Sequence, residues 1–160
     1  MSLSRPVRRK DHVISLEECK NILNSREYCI LATVDTEGIP YATPLSYVFL
    51  NEKLYFHSAS KGHKIDNLET NPRCSVAVVG DTQPVYEKDF TTYFESVVVF
   101  GTAEKVDDTT EKVQMLTALA QKYLPGHMDK AEKDITASLA RTAVYSIAIE
   151  KITGKAKRKK

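Results

Sequence analysis

The residues Tyr55–Leu68 read YFHSASKGHKIDNL, and this stretch decides how the chain is organised. An apolar run, Leu54-Tyr55-Phe56, stops at His57. Two serines, two lysines, two histidines and Gly62 intervene before Ile65 and Leu68 resume at helical spacing. A strand that passes directly into a helix leaves backbone N–H groups at the positive end of the helix dipole. Small residues let an anion approach closely, and Lys64 offers a compact positive charge. That chemistry suits a phosphomonoester, which needs several donors and a cation. The same pattern also describes a polar strand-to-helix loop with no ligand, so both readings stand at this point.

Upstream, Ser15-Leu-Glu-Glu18 has the form of a capping box, and Leu16, Cys19, Ile22 and Leu23 follow at helical spacing. The spacing predicts a helix over 16–25. Tyr28 to Val34 is rich in strand formers, and Asp35-Thr-Glu-Gly38 supplies a turn. A second strand is predicted over 41–50, with Pro44 at an edge or bulge. A third runs from Leu54 to His57, so that three strands form a meander.

Downstream, a short helix over 62–70 ends at Asn71-Pro72. A fourth strand covers 74–79, a polar loop 81–92, and a fifth strand 96–106. A helix capped by Thr109 or Thr110 ends at Pro125-Gly126, and a further helical piece covers 129–140. The last strand is Ala143 to Ile152, with Val, Ser, Ala and Glu alternating against Tyr, Ile, Ile and Lys. Six mostly antiparallel strands with peripheral helices predict an α+β, mainly β, single domain over 1–160, closed or nearly closed as a barrel.

Composition narrows the function classes. Of 160 residues, 42% are hydrophobic and 28% charged, ordinary values for a globular domain with a core. No apolar run approaches the ~20 residues that span a bilayer, and no secretory signal opens the chain. Cys19, Cys29 and Cys74 are too few and too dispersed for a zinc site or a disulfide framework. A cytoplasmic protein is expected, with no metal and no membrane partner. Cys29 lies inside an apolar strand and reads as a buried thiol, not a nucleophile. His12 and His127 lie in polar contexts.

The net charge of +2 conceals an asymmetry. Four basic residues in segment 1–10 and five in 155–160 stand without acids; removing those nine leaves 14 basic against 21 acidic, a body of −7. Positive charge at the ends and not on a folded face argues against a nucleic-acid reader. Either the ends are solvated, or one folds back over an anion. H-E-x-x-H, G-x-S-x-G, a P-loop and G-x-G-x-x-G are all absent.

The string Y-F-H-S-A-x-x-G-x-K-I-D-x-L, followed by Asn71-Pro72-Arg73, resembles the signature of the flavin-binding, pyridoxamine 5′-phosphate oxidase-like family. It is most similar to the branch holding nitroimidazole-resistance proteins. Other pieces agree in order: Arg8-Arg9-Lys10-Asp11, Pro40 to Tyr47, Ser96 to Gly101, and Ile152-Thr-Gly-Lys155. The resemblance implies a six-stranded split β-barrel of Greek-key type, a homodimer with FMN at the subunit interface, and oxidoreductase activity. Nitroaromatic or quinone-like small molecules would be the substrates and NAD(P)H a candidate electron donor. It further implies that Thr43, Pro44, Leu45 and Ser46 border the isoalloxazine ring, with His57 and Ser58 beside the ring and ribityl-phosphate. His63 and Lys64 would hold the phosphate, Ser96 and Lys155 would reach the flavin, and His57 would be the proton donor. Position 63 is His where arginine is common, a weaker and pH-dependent ligand. The chain has no tryptophan and ends in GKAKRKK, which argues against oxidation of the vitamin itself. A flavin-storage protein without turnover and a haem-binding relative of the same barrel are the alternatives.

Overall fold

The computed structural model describes residues 5–86 and 90–159. Helix α1 (Leu16–Ser25) starts at the expected capping box: Ser15 Oγ accepts from Glu18 N, while Glu18 Oε2 accepts from Ser15 N. Strand β1 (Tyr28–Val34) turns through Asp35, whose carboxylate accepts from Glu37 N and Ile39 N, into β2 (Pro40–Ser46). Then come β3 (Val48–Leu50), β4 (Lys53–Ser58), α2 (His63–Thr70), β5 (Arg73–Val85) and β6 (Thr91–Lys105). Helices α3 (Thr109–Tyr123) and α4 (Met128–Ser138) precede β7 (Ala143–Lys157). Asn51 and Glu52, both at positive φ, form the two-residue β3–β4 turn.

The sheet has seven strands, not six, in the order β2-β1-β5-β6-β7-β4-β3, every pairing antiparallel. The expected strand over 41–50 is two strands, and the expected meander does not form. β2 pairs with β1 at one edge of the sheet and β3 pairs with β4 at the other. Tyr47 alone separates them in sequence, so the sheet curls until its edges meet without a ladder between them. The barrel is therefore split and not closed. Pro44 lies in an edge strand, as its missing N–H requires.

Two further differences come from bulges. Gly80 and Asp81 together oppose Glu95, so β5 carries one extra residue there; the ladder resumes at Thr82↔Phe94 and runs to Val85↔Thr91. Most of the predicted 81–92 loop is thus a hairpin arm; residues 87–89 lie outside the described residues. In β7, Glu150 is the extra residue, between Phe100↔Lys151 and Gly101↔Ile149. Tyr145, Ile147 and Ile149 face the interior before it, and Ile152, Gly154 and Ala156 after it. At Gly101 the ladder is so close that a Cβ would collide with the Ala148 carbonyl oxygen.

The interior is filled by Leu31, Phe56, Val76, Val78, Val97, Val99 and Ile147, each at most 2% exposed. Cys19, Ile22 and Leu23 of α1 and Ile65 and Leu68 of α2 join the same cluster. A second cluster forms outside β4 and β7, where Tyr55 and Val144 meet Met115, Leu116 and Leu119 of α3. Each fully buried side chain of this kind contributes about 1.5–3 kcal/mol. Cys29 and Cys74 are buried thiols, both pushed up to about 12 by desolvation, which makes them structural and unreactive.

The basic end of the chain is largely built in. Lys155, Ala156 and Lys157 belong to β7, and Val13 bridges to Lys155. Arg158 donates to Glu95 Oε1 at 2.8 Å and to Glu18 Oε1 at 2.5 Å, tying the C-terminus to the cap of α1. This pairing, with the capping bonds from Ser15, lowers Glu18 from its ordinary 4.5 to about 2. A depressed carboxylate stabilises the fold above its unfolded pKa, and the contribution is lost as pH falls through the folded value. Between pH 4.5 and 2 the protein is therefore expected to lose stability partly through Glu18. Arg158→Ala should lower the urea midpoint at pH 7 and shrink that acid-side loss, as followed by circular dichroism. Identical pH profiles for the two proteins would remove Arg158 from this role.

Candidate functional site

The opening segment folds as a strand end, a four-residue loop and a helix N-terminus. Leu54, Phe56 and Ser58 of β4 point inward, while Tyr55 and His57 point out. Gly62, at φ 136°, is the N-cap of α2, in a region of backbone space that glycine occupies readily. Its carbonyl accepts from Ile65 N and Asp66 N, at 2.8 and 3.0 Å. Helix geometry leaves the His63 and Lys64 amides without intrahelical acceptors, and Gly62 has no side chain with which to cap them.

Beneath this turn lies Ser58, 8% exposed, whose Oγ has no hydrogen-bond partner. A buried hydroxyl is normally satisfied, and leaving one unpaired costs about 1–3 kcal/mol. An orphaned hydroxyl, helix-start amides and the Lys64 ammonium are the kinds of donor that an anionic group such as a phosphate requires. Among the described residues no cluster of His, Cys, Asp and Glu could hold a metal ion.

Two contacts that sequence reasoning missed hold α2 in place. Asn67, 3% exposed, donates from Nδ2 to Thr33 Oγ1 at 3.0 Å, and Thr33 donates on to the Tyr41 carbonyl at 3.4 Å. A polar side chain on the helix face shared with Leu68 was the available signal. The Tyr41 ring also stacks on His63, centroids 4.0 Å apart, so β2 meets the first turn of α2. His63 is thus engaged by an aromatic ring at the mouth of the loop. His57 keeps an exposed edge; burial first, and the charge of Lys64 second, hold its pKa below the ordinary value. At neutral pH it is a neutral imidazole.

Thr43 and Leu45 share the half-buried face of β2, while Pro44 and Ser46 are exposed on the other. β2 touches β4 across the split without pairing with it. The elements that carry Thr43, Pro44, Leu45 and Ser46 (β2), His57 and Ser58 (β4) and His63 and Lys64 (the start of α2) are thus neighbours where the split edges of the barrel meet.

Ser96 and Lys155 do not join them. They face each other across the β6–β7 ladder, whereas Ser58 pairs with Ala143 at the start of β7. The chain from Ala143 to Lys155 is twelve residues of strand, on the order of 35 Å at ~3.3 Å per residue less curvature and bulge. One flavin mononucleotide is well short of that span.

Comparison with known proteins agrees with the split-barrel fold. The chain resembles a candidate 5-nitroimidazole antibiotic resistance protein of Bacteroides thetaiotaomicron, at 25% identity and TM-score 0.75, covering 90% of this chain and 86% of that one. It resembles a FAD-binding protein of Mesorhizobium loti at 29% identity and TM-score 0.66, covering 91% and 97%. The haem storage protein HutZ of Vibrio cholerae, at 20% identity, TM-score 0.65 and coverage of 88% and 94%, shares the fold. No curated protein matches the chain. Residues 15–156 match the model of the family described as pyridoxamine 5′-phosphate oxidase, and the chain belongs to that family.

Proposed function

We propose that the protein binds flavin mononucleotide between two copies of the chain and acts as an oxidoreductase on small, electron-poor acceptors such as nitroaromatics or quinones. The observation that carries this reading is the buried, unpartnered Ser58 hydroxyl beneath the capless start of α2. Ser58, the His63 and Lys64 amides and the Lys64 ammonium would hold the phosphate. Thr43, Pro44, Leu45 and Ser46 would border the ring from β2. When bound, the isoalloxazine supplies the electron or hydride transfer, with NAD(P)H as the donor, and the protein positions it. His57, neutral at neutral pH, would donate a hydrogen bond at the ring; the same imidazole becomes a proton donor only when a nearby anion raises it.

The second copy answers the distance problem. Ser96 and Lys155 reach the flavin only if a partner brings its far strand ends to this mouth. The outer face of β1, β5 and β6 suits such a contact: Ile30, Ala32, Ala77, Val98 and Phe100 are half-buried there, and Val79 is 48% exposed. Obligate homodimer interfaces are commonly this apolar.

The purified protein is expected to be yellow, with a flavin spectrum bleached anaerobically by NAD(P)H and restored by a nitroaromatic. A Soret band would replace this reading with haem binding. Light scattering should give a dimer; a monomer that still holds flavin would overturn the shared site.

Two variants test the phosphate cradle. Lys64→Met keeps the aliphatic stem and removes the charge. FMN should bind about 10- to 150-fold more weakly, corresponding to roughly 1.5–3 kcal/mol, with riboflavin unaffected because it has no phosphate. Equal weakening of both ligands would give Lys64 a purely structural role. Ser58→Ala removes a hydroxyl that has no partner in the free protein. Stability without flavin should rise by about 1 kcal/mol in urea titrations while FMN affinity falls. A loss of stability with unchanged FMN affinity would show that Ser58 serves the fold alone.

A further inference from the structure

The crossing at Tyr47 points to a role for the end of α3. Tyr47 joins two strands that lie at opposite edges of the sheet. Its backbone groups belong to neither ladder, and both are taken by the last two residues of α3. Tyr47 N donates to Tyr123 Oη at 3.0 Å. The Tyr123 hydroxyl has a single proton, which goes to the Glu27 carbonyl in the shortest contact of the cluster. The Tyr47 carbonyl takes its hydrogen bond from Lys122 Nζ at 3.1 Å. Three backbone groups, from the chain before β1 and the chain between β2 and β3, are thus pinned to one helix end.

The Tyr47 side chain is fixed as firmly. It is 1% exposed, its hydroxyl donates to the Leu23 carbonyl at 2.6 Å, and the Lys122 ammonium lies 4.0 Å from its ring centroid. Tyr28↔Ser46 is the terminal pair of the β1–β2 ladder, so pinning Glu27 and Tyr47 holds both sides of that ladder at its Ser46 end. Residues 43–46 immediately precede the clamp, and β3, which carries β4 and Ser58 in register, immediately follows it.

We propose that Tyr123 and Lys122 are positioning residues for the flavin: they fix the separation between the β2 segment Thr43–Ser46 and the His57–Ser58 strand end. This rests on the flavin reading above. Because the clamp acts where β2 would border the ring, its loss affects FMN and riboflavin alike, unlike the loss of Lys64.

The test is Tyr123→Phe, which removes only the hydroxyl, with Lys122→Met as a second variant. Dissociation constants for FMN and riboflavin are measured well below the thermal midpoint, together with the spectrum of the bound flavin. Both ligands should weaken by the same factor, about tenfold for one lost hydrogen bond, and the absorption envelope should shift. In the wild-type protein, flavin should slow hydrogen exchange at the Tyr47 amide, because coupling between clamp and ligand is reciprocal. A lowered thermal midpoint with unchanged affinities and spectrum would make the clamp a matter of stability alone. Exchange at Tyr47 that flavin leaves unaltered would also overturn the proposal, even if neither variant folds. Wild type that binds no flavin defeats both readings, whereas equal flavin binding by wild type and Tyr123→Phe defeats this one alone.

Discussion

A sheet whose two edge strands are consecutive in sequence, with one residue between them, has little freedom in its shape. Consecutive Cα atoms are 3.8 Å apart, so β2 and β3 must end within reach of each other even though five strands separate them in the sheet. Only a strongly curled sheet satisfies this. Curling gives the molecule an inside, which Leu31, Phe56 and Val97 fill and which α1 and α2 plug. It also creates a seam where no ladder forms, and there the backbone needs partners from elsewhere. The third and fourth helices, packed outside β4 and β7, bring the end of α3 to that seam.

The seam is where the candidate site lies, and this follows from the same constraint. A closed ladder would bury the strand ends; the split leaves a mouth between β2 and the β4–α2 turn. The Asn67–Thr33 hydrogen bond and the Tyr41–His63 stack set the helix N-terminus against that mouth. With the turn so held, the buried Ser58 hydroxyl is left without a hydrogen-bond partner. A buried hydroxyl of this kind is a standing cost to the fold.

Local signals were legible in the sequence, and parity was not. The capping box at Ser15, the limits of β1 and the turn at Asp35 each depend on residues adjacent in the chain. The strand-to-helix turn at Ser58–Lys64 was legible for the same reason. The polar 81–92 segment reads as a loop, and only the ladder past Glu95 reveals a bulge at Gly80-Asp81 followed by more strand. Position 47 gave no sign of a break, because Tyr is a good strand former and its substitute partners lie 75 and 76 residues away. The resemblance placed Ser96 and Lys155 with the other site residues. Their distance along β7 emerges only when Ser58 is seen opposite Ala143.

The bulge at Glu150 works as a change of phase. Two halves of β7 with opposite inside–outside alternation are spliced by one surplus residue. The surplus turns Lys151, Lys155 and Lys157 outward, and it lets Gly154 and Ala156 take the tight places against α1. Length at this position consequently matters more than identity. Exchange of Glu150 for another residue keeps the phase, whereas its deletion would rotate every later side chain to the other face and drive lysines toward Cys19 and Ile14. Relatives of this chain that differ by one residue in length within β7 would therefore have to restore the count before Gly154, which makes the strand's length, as much as its composition, a mark of this fold.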